Sequence, residues 1–291
     1  MRAPYPVEVV PLFPEFLTKR RTKFTLPLRL TEELGIDRPA LFFVIGGVAP
    51  QGGGRYSEMW NPYATQWDQH QAASSAARDA GLVDEKDGRW DLTPKARELM
   101  KRFRREADAY LAALPSPLSR EDLSRLAGLL GRAFEATAAS LDRRWHSHIP
   151  RVARMAGDAR AHPMIALENA VYGLWNARDD CHMAAWQQAG LDGPTLDALT
   201  RIWRGEATSE VDLATKLTSQ RPTDVAAELA RLRRDGLVAT GDPPRTTEKG
   251  AKARQAIEDE TDRLFFSGWP DDVATSAGWI REKLAAVNAS F

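Results

Sequence analysis

Apolar positions recur at helical spacing along most of the chain. Within DVAAELARLRRDG, Val225, Leu229 and Leu232 fall at i, i+4 and i+7, one face of a helix. Pro222 suits the first position of that helix and Gly236 its stop. Upstream, Pro194 opens a helix through Trp203 that Gly205 ends, and Ser209 can cap a short helix with apolar Val211, Leu213, Ala214 and Leu217. Downstream, Leu237-Val238 begins a short strand, ATGDPP turns the chain, Arg245-Thr246 returns, and Thr247 caps a long helix to about Phe266. Helix, short helix, turn, helix, two-stranded wing, helix is the order of a winged helix-turn-helix.

The same order occurs earlier. Gly35, Asp37, Pro39 and Leu41 match Gly190, Asp192, Pro194 and Leu196 at an offset of 155 residues, and Gly81-Leu82-Val83 matches Gly236-Leu237-Val238 at the same offset. Thr93-Pro94-Lys95-Ala96 then faces Thr247-Glu248-Lys249-Gly250 at 154, as Glu106 and Asp108 face Glu260 and Asp262. Phase held over such a span predicts two copies, roughly 23–114 and 178–268, related by an internal pseudo-two-fold. In the first copy SEMWNPYA is the short helix, WDQHQAASSAARDAG the second helix, DEKDGRW the hairpin with Asp87-Gly88 at its tip, and Thr93 the cap of helix 94–114.

Between the copies, Ser119 with Asp122 reads as a capping box. Leu118, Leu123, Leu126, Leu129, Leu130, Phe134 and Leu141 mark an amphipathic helix to about His146. IPRVARMAGDARAHP reads as a hinge, after which Pro163 opens a long helix. The expected fold is mainly α: tandem winged helix-turn-helix units joined by long helices. The expected domains are an N-terminal arm (1–22), the first copy (23–114), a connecting helix and hinge (115–162), a long helix with the second copy (163–268) and a C-terminal helix (269–291).

Composition narrows the function. Of 291 residues, 40 are Lys or Arg and 40 Asp or Glu, so any nucleic-acid affinity must come from a local patch rather than a chain-wide field. The lone Cys181 excludes an internal disulfide framework. No apolar run approaches a membrane span, and the proline-broken, Glu-bearing N-terminus is no signal peptide; the expected location is the cytoplasm. Nine Trp point to large cores or pockets.

The phrases LRRDGLVATGDPPRTTEKGAKAR and ARDAGLVDEKDGRWDLTPKAREL resemble MarR-type (multiple-antibiotic-resistance) winged-helix regulators, over about 60 residues in each copy. That resemblance implies a second motif helix in the DNA major groove, dimerisation through terminal helices, and response to phenolic or oxidant ligands. Two copies in one chain would form a covalent pseudo-dimer, acting as a monomer or as a homodimer of such chains. LWNARDDCHMAAWQQAGLDG and EDETDRL also resemble an uncharacterised actinobacterial helix-turn-helix group, which implies no particular activity.

Candidate DNA-contacting residues follow from position and donor type: Gln66, Gln69, His70, Ser74 and Arg78 on the first reading helix, Arg89 on its wing, Arg221, Thr223 and Arg231 on the second reading helix, and Arg245 on its wing. Lys19, Arg20, Arg21 and Lys23 form a basic run that could reach phosphate. The charge balance is poor for a tight binder, with four Arg against three acids over 221–235 and one Arg against two acids over 66–79. Solvated polar faces are the plainer reading.

Trp175, Asp179, His182 and Trp186 fall at i, i+4, i+7 and i+11, with Arg178 at the margin and Glu260 and Asp262 on the later long helix. These residues read either as a structural polar network, in which Asp179 and His182 satisfy each other, or as a pocket for a small aromatic ligand. Asp-x-x-His is half of a carboxylate–histidine metal motif, but nothing in the repeat supplies the other half, so no metal or cofactor is expected. His146 and His148, two apart, would lie on different faces of a helix. VIGGVAPQGGGRY lacks the Lys-Ser/Thr of a phosphate loop, and no nucleophile motif appears. The two functions left open are a DNA-binding, ligand-sensing transcriptional regulator and a winged-helix scaffold without DNA binding that binds, sequesters or transforms a small aromatic metabolite.

Overall fold

The computed structural model describes residues 5–55, 62–64 and 71–291. Among them the chain is mainly helical with one small sheet. In order run α1 (Leu12–Lys19), α2 (Leu26–Leu34), α3 (Arg38–Phe42, continued by a π-helical turn at Phe43–Val48), β1 (Gly54–Arg55), α4 (Gln71–Asp79), β2 (Val83–Lys86), β3 (Arg89–Leu92), α5 (Pro94–Ala112), α6 (Arg120–Ser140), α7 (Ile149–Met155) and α8 (Pro163–Gln188). There follow α9 (Gly193–Trp203), α10 (Glu210–Lys216), α11 (Pro222–Arg234), α12 (Glu248–Phe266), α13 (Asp271–Thr275) and α14 (Ala277–Ala289). The short helix expected over SEMWNPYA lies largely outside the described residues. No helix among them is long and apolar enough to cross a membrane.

The chain divides into two compact units. One holds described residues 5–55, 71–181 and 262–291; the other holds 62–64 and 182–261. Termini, most of the first copy and the connecting helices α6 and α7 therefore share a unit, a grouping the linear order of the chain does not suggest.

In the first unit, β2 and β3 pair antiparallel (Val83 opposite Leu92, Lys86 opposite Arg89), and β1 adds to the outer edge of β3. Asp87 and Gly88, both at positive φ, make the two-residue turn that such a hairpin requires. Leu41, Val44, Ala77, Leu82, Val83 and Trp90 lie in one buried cluster beneath the hairpin. Elsewhere in the unit the chain ends are tied together. The Asn288 amide donates to Leu12 O at 3.1 Å, Phe13 packs edge-on against Phe265, and the Trp269 indole donates to Thr137 Oγ1 at 3.1 Å. In the second unit Leu199, Ile202, Leu213, Val225, Leu229, Leu232 and Leu237 form the core. There the wing shrinks to a single bridge, Val238 with Thr246.

The sequence offset reappears as a set of hydrogen bonds. Asp37 caps α3 by accepting from Ala40 N at 2.8 Å, and Asp192 caps α9 by accepting from Thr195 N at 2.9 Å. The Thr93 hydroxyl donates to Gly81 O and accepts from Ala96 N; the Thr247 hydroxyl donates to Gly236 O and accepts from Gly250 N. Lys95 Nζ reaches Ala80 O at 2.7 Å, as Lys249 Nζ reaches Asp235 O at 2.7 Å. The threonine and lysine bonds join the turn after α4 or α11 to the start of α5 or α12, so one threonine side chain holds strand entry and helix cap together. Where the first copy has Ala96, the second has Gly250, whose hydrogen lies so near Leu237 that a methyl there would sit 1.9 Å from the carbonyl oxygen.

Three expectations change. The proposed hinge contains α7, because the Asp180 carboxylate accepts from the Ser147, His148 and Ile149 amides at 2.8–3.1 Å and so caps a helix that its own sequence leaves uncapped. α6 stops at Ser140 rather than near His146, with Leu141 already extended. One member of the basic run is withdrawn from solvent. Arg20 is buried in an ion pair with Glu168, and the Tyr110 hydroxyl donates to its carbonyl oxygen at 2.7 Å.

Candidate nucleic-acid interface

The second unit builds a helix-turn-helix from local signals. Ser209 Oγ accepts from Asp212 N at 3.0 Å and opens α10, while Asp212 accepts from Thr208 N and from Lys216 Nζ, each at 2.8 Å. These contacts, Lys216 foremost, hold the Asp212 carboxyl down to about 2. Pro222 starts α11, which turns Val225, Leu229 and Leu232 inward. Its outward side shows Thr223, Ala226, Ala227, Ala230 and Arg234, with Arg221 exposed at its entrance and Arg245 exposed on the wing.

Not every expected cation is available there. Arg231 donates to Asp192 at 2.6 Å and lies 3.9 Å from Glu228 and 4.0 Å from Asp235; the bond to Asp192 raises its pKa. Arg233 binds Glu210 and the wing carbonyl of Gly241, both at 2.7 Å, fastening wing to helix. Both arginines are therefore engaged within the fold, although the Arg231 side chain stays 36% exposed. Over residues 182–261 the sequence has eleven basic and thirteen acidic residues, so any attraction to phosphate rests on exposed cations at particular points.

In the first unit, Gln66, Gln69 and His70 lie outside the described residues. Ser74 is buried, its hydroxyl donating to Gln71 O at 3.0 Å. It faces the core rather than a groove, because α4 turns Ala73, Ser74 and Ala77 inward together. Arg78 lies 3.6 Å from Asp79 and 4.0 Å from Glu85. Arg89 is exposed on β3. Arg21 and Lys23 are exposed, whereas Lys19 is held by Glu15 at 2.8 Å and Arg20 is buried as described.

The candidate ligand residues are divided between the units. Trp175, Arg178, Asp179 and Asp262 belong to the first; His182, Trp186 and Glu260 belong to the second. Arg178 donates to Asp262 at 2.7 Å and lies over the Phe265 ring. Asp179 meets His148 Nε2 at 3.0 Å, and His182 Nδ1 meets the Thr261 hydroxyl at 3.0 Å, so each has a partner beyond the expected Asp179–His182 pair. Thr261 already gives its proton to Ile257 O, which leaves its oxygen to accept and assigns the donor hydrogen to His182 Nδ1. Trp175 is 40% exposed while Trp186 is buried.

The deeply buried carboxylate of α8 is Asp180, which sequence analysis passed over. Burial raises its pKa against the opposing pull of the three amides. Its signal was present: Gly173, Ala177, Asp180 and Ala184 lie on one face of small side chains, where the Gly173 backbone packs so near the Phe134 ring that a methyl would fall 2.8 Å from it. Burial also pushes the Cys181 thiol up to about 12, so it packs as a small apolar group and supplies no thiolate. Among the described residues no group of three or more His, Cys, Asp or Glu is placed to hold a metal ion.

Residues 152–290, from within α7 to the end of the chain's last helix, match a helix-turn-helix family. The matched stretch contains α10, α11 and their wing, the elements whose caps and core are described above. No curated protein and no solved structure matches the chain.

Proposed function

We propose that this chain is a DNA-binding transcriptional regulator that sets α11 in the major groove. Arg221 and Thr223 meet base edges or phosphates at the helix entrance, and Arg245 meets the backbone from the wing. The observation that carries this reading is the helix-turn-helix match coinciding with a reading helix whose outward side is exposed between Arg221 and Arg234. The recurrence of the Asp bond at an offset of 155 residues and of the Thr and Lys bonds at 154 supports two tandem winged-helix copies in one chain, in the manner of a MarR-type dimer, acting as a monomer or pairing as a homodimer in the cytoplasm. A small aromatic ligand sensed through residues of α8 belongs to the same reading.

A second reading, a winged-helix scaffold that binds or transforms a small aromatic metabolite without touching DNA, is favoured by one observation, the acidic balance of the second unit. Anisotropy titrations of the full chain against a fluorescent random-sequence duplex separate the two. DNA binding predicts a complex at low salt that weakens linearly in log–log form as salt rises. No complex at micromolar protein and low salt decides for the scaffold.

A further inference from the structure

The two copies carry the same internal bonds but present unlike surfaces. Because Leu82 N donates to Ala77 O and Leu237 N to Leu232 O, each at 2.9 Å, the ends of α4 and α11 correspond residue by residue. At the last outward position of the reading helix the first copy has exposed Asp79 and the second exposed Arg234. The wings differ likewise. In the first, Asp84 stands directly opposite Asp91 on neighbouring strands, and Glu85 and Asp87 are also exposed, against the cations Lys86 and Arg89. In the second, one exposed acid, Asp242, accepts from the Glu210 amide at 3.0 Å, and Arg245 is exposed beside it.

A duplex presents a dense row of phosphates to both helix end and wing, so a carboxylate there repels where a guanidinium binds. We infer that DNA contact belongs to the second copy alone, the first serving as a structural partner whose acidic wing keeps phosphate away. This rests on the DNA-binding reading above and narrows it: the chain resembles a dimer in pattern but reads DNA through one helix.

The test uses the full chain and a random-sequence duplex of about 30 base pairs, titrated at several salt concentrations. Contact through Arg221, Arg234 and Arg245 predicts a log–log salt slope of about −3, whereas adding Lys86 and Arg89 would bring it to about −4.5. Arg245→Ala should lower the slope by about 1, while Lys86→Ala with Arg89→Ala should leave slope and affinity as in the wild type. Thermal melts confirm that each variant folds. If the Lys86/Arg89 variant weakens binding as much as Arg245→Ala, the inference falls and DNA binding stands. If the wild-type chain gives no salt-sensitive complex at all, the DNA-binding reading falls first, and the inference with it.

Discussion

Arg231 donates through Nη1 to Asp192 at 2.6 Å, joining the reading helix to the residue that caps α9. A guanidinium so held has already exchanged water for a carboxylate, and moving it to phosphate would give that bond up. Arg231→Gln should therefore cost stability rather than DNA affinity, by about 0.5–1 kcal/mol for a pair this exposed. Arg221→Ala should lower the salt slope by about 1. Urea unfolding and anisotropy on both variants check this; a weakened complex with Arg231→Gln at unaltered stability would refute it.

Thr93 and Thr247 each join the turn after a reading helix to the start of the following helix. Thr93→Ala and Thr247→Ala should each cost about 1–2 kcal/mol, the usual loss for a helix cap. Chemical denaturation gives both values. If one copy tolerates the change without cost, the two threonines are not equivalent in energy despite their shared bonds.

Arg20 and Glu168 form a buried pair, their side chains 8% and 14% exposed. Burial lowers the Arg20 pKa to about 8, so the cation depends on its partner. Arg20→Ala strands Glu168 and should cost about 3–5 kcal/mol, whereas Arg20→Met with Glu168→Leu should recover most of that loss. The salt dependence of DNA binding should not change in the double variant. A melting temperature for Arg20→Ala close to wild type would disprove the structural role assigned to the pair.

Asp212 sets an acid limb on stability. Its carboxyl sits at about 2 in the folded chain, against 3.8 ordinarily. A depressed folded pKa gives stabilisation that is complete above the ordinary value and is lost as pH falls through the folded one. Relative to Asp212→Asn, the wild-type chain should lead above about pH 4 and lose that lead toward pH 2. Denaturant midpoints across this range are the measurement, and a difference that stays constant with pH would rule the effect out.

What the sequence determined by itself is the part of the fold encoded within a few residues. Caps at Thr93, Ser209 and Thr247, the Asp87-Gly88 turn and the inward stripe of α11 are set by backbone geometry and helical period, which act over one or two turns of chain. Only the tertiary structure decided which polar groups were already engaged. Asp180 caps α7 across 31 residues, Arg231 binds Asp192 across 39, and Arg20 meets Glu168 across 148. A charged side chain in the sequence looks the same whether it faces water or a buried counter-charge. Packing brings the counter-charge within reach, so the buried or engaged cations, Arg20 and Arg231, separate from the exposed Arg234 and Arg245 only in three dimensions.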